Sequence, residues 1–134
     1  MVALLLGALA CGPEDSDARA DAPVVKADLG ERFELALGER ADVAGFRVAF
    51  VRVAEDLRCP EAVLCAQDGN AAVAFAVKSE AGSATLTLHT DREPRAAAAM
   101  GHALRLVELR PRPAEGVLRH STNYQATLIV EPAP

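Results

Sequence analysis

Residues 71–89 read A-A-V-A-F-A-V-K-S-E-A-G-S-A-T-L-T-L-H. In an extended chain Ala71, Val73, Phe75 and Val77 share one face, with three alanines and Lys78 on the other. That period of two is the signature of a β-strand. Ser79 to Ser83 carries hairpin chemistry, with Gly82 able to take a positive φ. Ala84, Leu86 and Leu88 then return, with Thr85, Thr87 and His89 opposite. Two alternating runs joined by so short a turn predict an antiparallel pair.

Immediately before this hairpin, residues 55–70 read E-D-L-R-C-P-E-A-V-L-C-A-Q-D-G-N. Two cysteines, a proline, a glycine and an asparagine between strand-like segments describe a loop held by a covalent clip. In an oxidising compartment Cys59 and Cys65 pair as a structural disulfide. Closing a ring of about seven residues stabilises by roughly 2 kcal/mol in the chain-entropy model. Two other readings stay open. One is a metal site built from both thiolates and two of His89, His102 and His120. The other is a redox pair, although the C-x-x-C spacing beside a βαβ unit is missing. Asp56 is expected to bond nearby backbone N–H groups or Arg58, and with Pro60 these residues are read as part of the loop's structure. Gly69 and Asn70, at the exit, predict a turn needing positive φ, with the Asn70 side chain bonding nearby backbone.

Further out, Phe33, Leu35 and Leu37 alternate with polar or small residues, and Gly38-Glu39-Arg40 turns the chain. Phe46, Val48 and Phe50 alternate too, but the apolar phase then slips to Val51 and Val53. A β-bulge near Phe50-Val51 explains the slip, as does a strand buried on both faces. The four alanines after Arg95 suggest one helical turn ended by Gly101. Ala103 to Leu109 is apolar on both faces and reads as a central strand, stopped by Pro111 and Pro113. Tyr124, Ala126, Leu128 and Val130 form the last alternating strand. The expectation is an all-β domain over 29–134: a small antiparallel β-sandwich, or partly open barrel, of about six to seven strands.

The N-terminus has a different character. Residues 1–10, M-V-A-L-L-L-G-A-L-A, are an apolar leader ending in small residues, too short to span a bilayer. The Ala10-Cys11-Gly12 that follows reads as a lipobox, with Cys11 lipidated; Ala8-Leu9-Ala10 also fits ordinary signal cleavage, which would release a soluble protein. Residues 12–28 hold five acids against two bases and two prolines, so 11–28 reads as a lipidated cysteine and an acidic disordered tether. Lipid on Cys11 would account for the odd count of three cysteines. The net charge of −5 disfavours nucleic acid as a partner. Aromatics are only 4% with no Trp, so the core must rest on Val, Leu, Ala and four Phe.

The pattern Asp56-x-Arg58-Cys59-Pro60-x-x-Val63-x-Cys65-x-x-x-Gly69-Asn70-Ala71 resembles a family of uncharacterised bacterial exported proteins and lipoproteins. Leu57 and Gln67 stand where that family commonly has Ser and an aromatic. The resemblance implies a small β domain and an exported location, and no activity.

A search for chemistry finds little. Ser16, Ser79, Ser83 and Ser121 lie outside any G-x-S-x-G, and His120-Ser121 are only sequence neighbours. Glu55 and Asp56 form a carboxylate pair whose simpler role is to bond the loop. No phosphate-cradling glycine motif or EF-hand is present. Arg92, Arg95, Arg105, Arg110, Arg112 and Arg119 make one stretch basic, suiting a solvated face or an anionic envelope ligand. The expectation is therefore an envelope-anchored lipoprotein domain, held to the membrane through its N-terminal lipid on the periplasmic or outer face. Its role is non-enzymatic binding of a protein or anionic ligand, or structural, and no cofactor is implied. The alternative is a metal-binding or redox protein using Cys59, Cys65 and the histidines.

Overall fold

The computed structural model describes residues 23–60, 64–66, 69–112 and 123–134. Nine strands are arranged in two sheets, and no helix occurs among the described residues. The strands are β1 Val24–Ala27, β2 Arg32–Ala36, β3 Arg40–Val43, β4 Phe46–Asp56, β5 Ala71–Ser79, β6 Gly82–His89, β7 Ala96–Ala99, β8 His102–Arg110 and β9 Gln125–Pro132. One sheet has the order β1-β3-β4-β5-β6 and the other β2-β9-β8-β7. Neither closes on itself, so the expected all-β sandwich is what forms, with open edges rather than a barrel.

Alternation builds the core. Phe46, Val48 and Phe50 of β4 and Val73, Phe75 and Val77 of β5 face Leu35, Leu104, Leu106, Leu128 and Val130 of the other sheet, all buried. Phe50 and Phe75 are direct cross-strand partners with ring centroids 5.4 Å apart. Such aromatic pairs add about 0.5–1.5 kcal/mol beyond their buried area.

Four local readings are decided by the structure. The slip in β4 is a bulge: pairing shifts between Phe50 and Arg52, and Val51 is 47% exposed, so the strand is not buried on both faces. In β8 the two-sided apolar look has the same origin. Pairing shifts between Leu106 and Glu108, which turns Leu109 inward, and the strand is central as expected. The alanines 96–99 are not a helical turn but the edge strand β7, paired with β8. One isolated turn cannot carry the cost of helix nucleation, whereas Met100 and Gly101 at φ 50° and 79° close a tight hairpin.

Finally, Val24–Ala27, read from its acidic surroundings as tether, is strand β1. It pairs parallel with β3, the one parallel pair among the described residues, and packs Val25 and Ala27 against the core. The short strand β3 was also missed, which accounts for nine strands where six to seven were expected. The leader, Cys11 and tether residues 12–22 lie outside the described residues, as do Val63, Gln67, Pro113, Arg119, His120 and Ser121.

Candidate functional site

Asp56 ends β4, and a one-residue irregularity decides which way it faces. Pairing shifts a second time between Val53 and Glu55, placing Asp56 opposite the buried Ala71 and Glu55 opposite Ala72. Since strand side chains alternate, one inserted residue exchanges the two faces. The Asp56 carboxylate is thereby turned between the sheets instead of toward water.

Inside, it meets Arg58, a buried arginine 7% exposed. Arg58 Nε donates to Asp56 Oδ1 at 2.8 Å and Nη2 to Oδ2 at 2.8 Å, a bidentate fork. The rest of the guanidinium crosses to the other sheet's end, where Nη1 donates to Leu109 O at 2.6 Å and Nη2 to Pro111 O at 2.7 Å. Tyr124, just before β9, donates its hydroxyl to Asp56 Oδ2 at 2.8 Å. Thus β4, β8 and β9, from both sheets, are tied by one carboxylate and one guanidinium. No buried side-chain N or O among the described residues lacks a partner.

The electrostatics follow. Burial alone would raise the Asp56 pKa, but the bonds from Arg58 and Tyr124 and the Arg58 charge outweigh it and hold the carboxyl below its usual range. Tyr124 is pushed up to about 12, first by burial and then by its bond to, and the charge of, Asp56. Both shifts lead away from neutral pH, so the pair remains carboxylate and phenol. Chemically the corner is a fastening.

The clip closes over it. Cys59 and Cys65 are disulfide-bonded, their Cα atoms 6.0 Å apart. Half-buried Pro60 follows Cys59, while Leu64 and Leu57 are exposed. Gly69 departs from expectation: it is absent from the positive-φ residues, which include Gly45 and Gly101. Glycine is required there by close approach, because a Cβ at 69 would stand 1.5 Å from the Leu57 carbonyl oxygen. Asn70 bonds backbone through its side chain, but across to a distant segment and not within its own turn. Its Oδ1 accepts from the Asp91 backbone N–H at 3.0 Å, and its Nδ2 donates to His89 Nδ1 at 2.8 Å. The proton of neutral His89 therefore sits on Nε2.

Of the residues read as candidates, this corner gathers Asp56, Arg58, Cys59, Pro60, Cys65, Gly69, Asn70 and His89. His102 lies at the opposite end, stacked on Phe46 with ring centroids 4.7 Å apart. No group of three His, Cys, Asp or Glu side chains suited to a metal converges among the described residues. A polar cleft of about 270 Å³ beside the clip mixes Arg58 and Arg112 with Asp91 and Glu108. Within the basic stretch Arg105 is exposed on the outer side of β8, Arg110 is paired with Glu34 on a half-exposed surface, and Arg119 lies outside the described residues. Sequence reading missed Tyr124 as a partner of Asp56. Its one hint is that the chain's only tyrosine, a residue with a polar tip, opens an apolar strand.

Comparison with family models, with curated proteins and with solved structures returns no match to this chain.

Proposed function

We propose that this chain is an exported bacterial lipoprotein, anchored to the cell envelope through Cys11, whose β-sandwich has a non-enzymatic binding or structural role. The observation that carries the reading is the Cys59–Cys65 bond. It uses two of the three cysteines and leaves Cys11, behind an apolar leader, as the one to account for. Disulfides persist in oxidising compartments, which fits export. The fastening role of Asp56, Arg58 and Tyr124 supports a rigid scaffold, since the Asp56 carboxyl is held below its usual range and the Tyr124 hydroxyl above its own.

Mass spectrometry of protein extracted from membranes should find the N-terminal peptide carrying diacylglycerol on Cys11. Cys11→Ser should move the protein to the soluble fraction without changing its unfolding midpoint. Thiol titration in denaturant without reductant should find neither Cys59 nor Cys65 reactive. Unmodified protein in the medium would overturn the anchor; two reactive thiols with bound metal would favour metal or redox chemistry.

A further inference from the structure

The five-stranded sheet presents a second face, away from the core, whose composition the fold does not require. Cross-strand register places Asp42, Arg47, Lys78 and Ser83 side by side along one level of β3 to β6. The next level holds Arg40, Ala49, Ala76 and Thr85. Directly opposed side chains stand about 5 Å apart at Cβ, and like charges in that position repel. Arg47 and Lys78 are such a pair. Neither makes an ion pair or side-chain hydrogen bond among the described residues. Asp42, opposite Arg47 on its other side, uses Oδ1 to accept the Gly45 N–H at 3.0 Å and forms no ion pair with it.

A groove of about 520 Å³ runs over this face. Alanines 49 and 76 give it a low floor. Arg40, Arg47 and Lys78 supply its charge, Ser83 and Thr85 line it with exposed hydroxyls, and no acid lines it. In a chain of net charge −5 this is a local inversion of sign. The larger cleft at the neighbouring hairpin end, about 710 Å³, shares Arg47 and Lys78 but adds Asp42 and Glu80, which cancel them. The acid-free groove is the one suited to an anion.

The geometry points to a binding groove for a phosphate group, free on a small molecule or carried by a lipid headgroup, held between Arg47 and Lys78. A guanidinium can engage two phosphate oxygens at once, an ammonium neutralises the remaining charge, and hydroxyls donate to oxygens left over. The bound anion would remove the repulsion that the empty register leaves. This deepens the binding half of the proposed function and does not depend on the lipid anchor, so mass spectrometry of Cys11 and the titration below fail separately.

The test is titration of the ¹⁵N-labelled full chain with inorganic phosphate and with glucose 6-phosphate, at ionic strength held constant with KCl. Saturable shifts should centre on the amides of Arg47, Lys78, Ser83 and Thr85, and the Arg47→Gln/Lys78→Gln double variant should bind at least tenfold more weakly. A second arm pellets the Cys11→Ser chain with phosphatidylglycerol or phosphatidylcholine vesicles. Response to the small phosphates assigns a free ligand. Pelleting with phosphatidylglycerol alone, abolished by the double variant, assigns a headgroup. In phosphate-free buffer Lys78→Gln should leave the melting temperature unchanged or higher, because it relieves repulsion. The inference is overturned by no saturable response in either arm, by binding that survives the double variant, or by a lowered melting temperature in Lys78→Gln.

Discussion

The two ends of the sandwich are held by different physics. At one end three hairpin turns close the sheets, Ala44-Gly45, Glu80-Ala81 and Met100-Gly101, and each is a matter of local backbone geometry. At the other end Asp56, Arg58 and Tyr124 join residues up to 68 positions apart, beneath a disulfide clip. Turn energies are local and small, so the hairpin end should tolerate change. The fastened end concentrates charge in a place with little water, where each partner depends on all the others.

That contrast is sharpest at Arg58. Replacing it with Ala leaves the Asp56 carboxylate buried without its cation and the Leu109 and Pro111 carbonyls without their donor. Removing one partner of a buried pair is expected to lower stability by about 3–5 kcal/mol, read from denaturant midpoints. The pH dependence supplies a second reading. The folded pKa of Asp56 is depressed, so its contribution is present above the unfolded value near ~3.9 and is lost as pH falls through the folded value. Tyr124 has the opposite sign: its contribution is full below ~10 and fades as pH rises toward about 12. Stability of the native chain should therefore fall at both extremes. An Arg58→Ala chain with the native midpoint and an unchanged acid limb would show the two ends to be equivalent.

A smaller loss is expected from Gly69→Ala. Its methyl would meet the Leu57 carbonyl at 1.5 Å, and backbone must move to admit it. Overpacking of this kind lowers stability by about 1–3 kcal/mol. Thermal unfolding of the variant checks this, and a melting temperature equal to that of the native chain would mean that the clip is slack.

The smallest effect belongs to the hairpin end and has the other sign. Ala44 sits at φ 52° before Gly45 at φ 84°, a geometry in which Asn is preferred to Ala. Ala44→Asn should raise stability by about 0.5–1 kcal/mol, measured by the same unfolding curve. A loss instead would show that this turn too is set by its surroundings.

Much of this was legible before any coordinates. Alternation in Phe33 to Leu37, Phe46 to Phe50, Ala71 to Leu88 and Tyr124 to Val130 determined the strands and which side chains enter the core, because burial acts on each side chain where it stands. The spacing of Cys59 and Cys65 identified the clip, and Asp56 beside Arg58 its ion pair, because partners so near in sequence can meet in few ways. Tertiary structure alone decided the rest. The second bulge in β4, not any residue type, turns Asp56 inward to Tyr124. β1 and β7 are strands because a neighbouring edge offers them hydrogen bonds, against the tether and helical-turn readings of their own composition. Arg47 faces Lys78 only in the observed register, and a slip of one residue would send the two charges to opposite faces. Periodicity is a local property, which a sequence carries in full; register and pairing are fixed when distant segments close on one another.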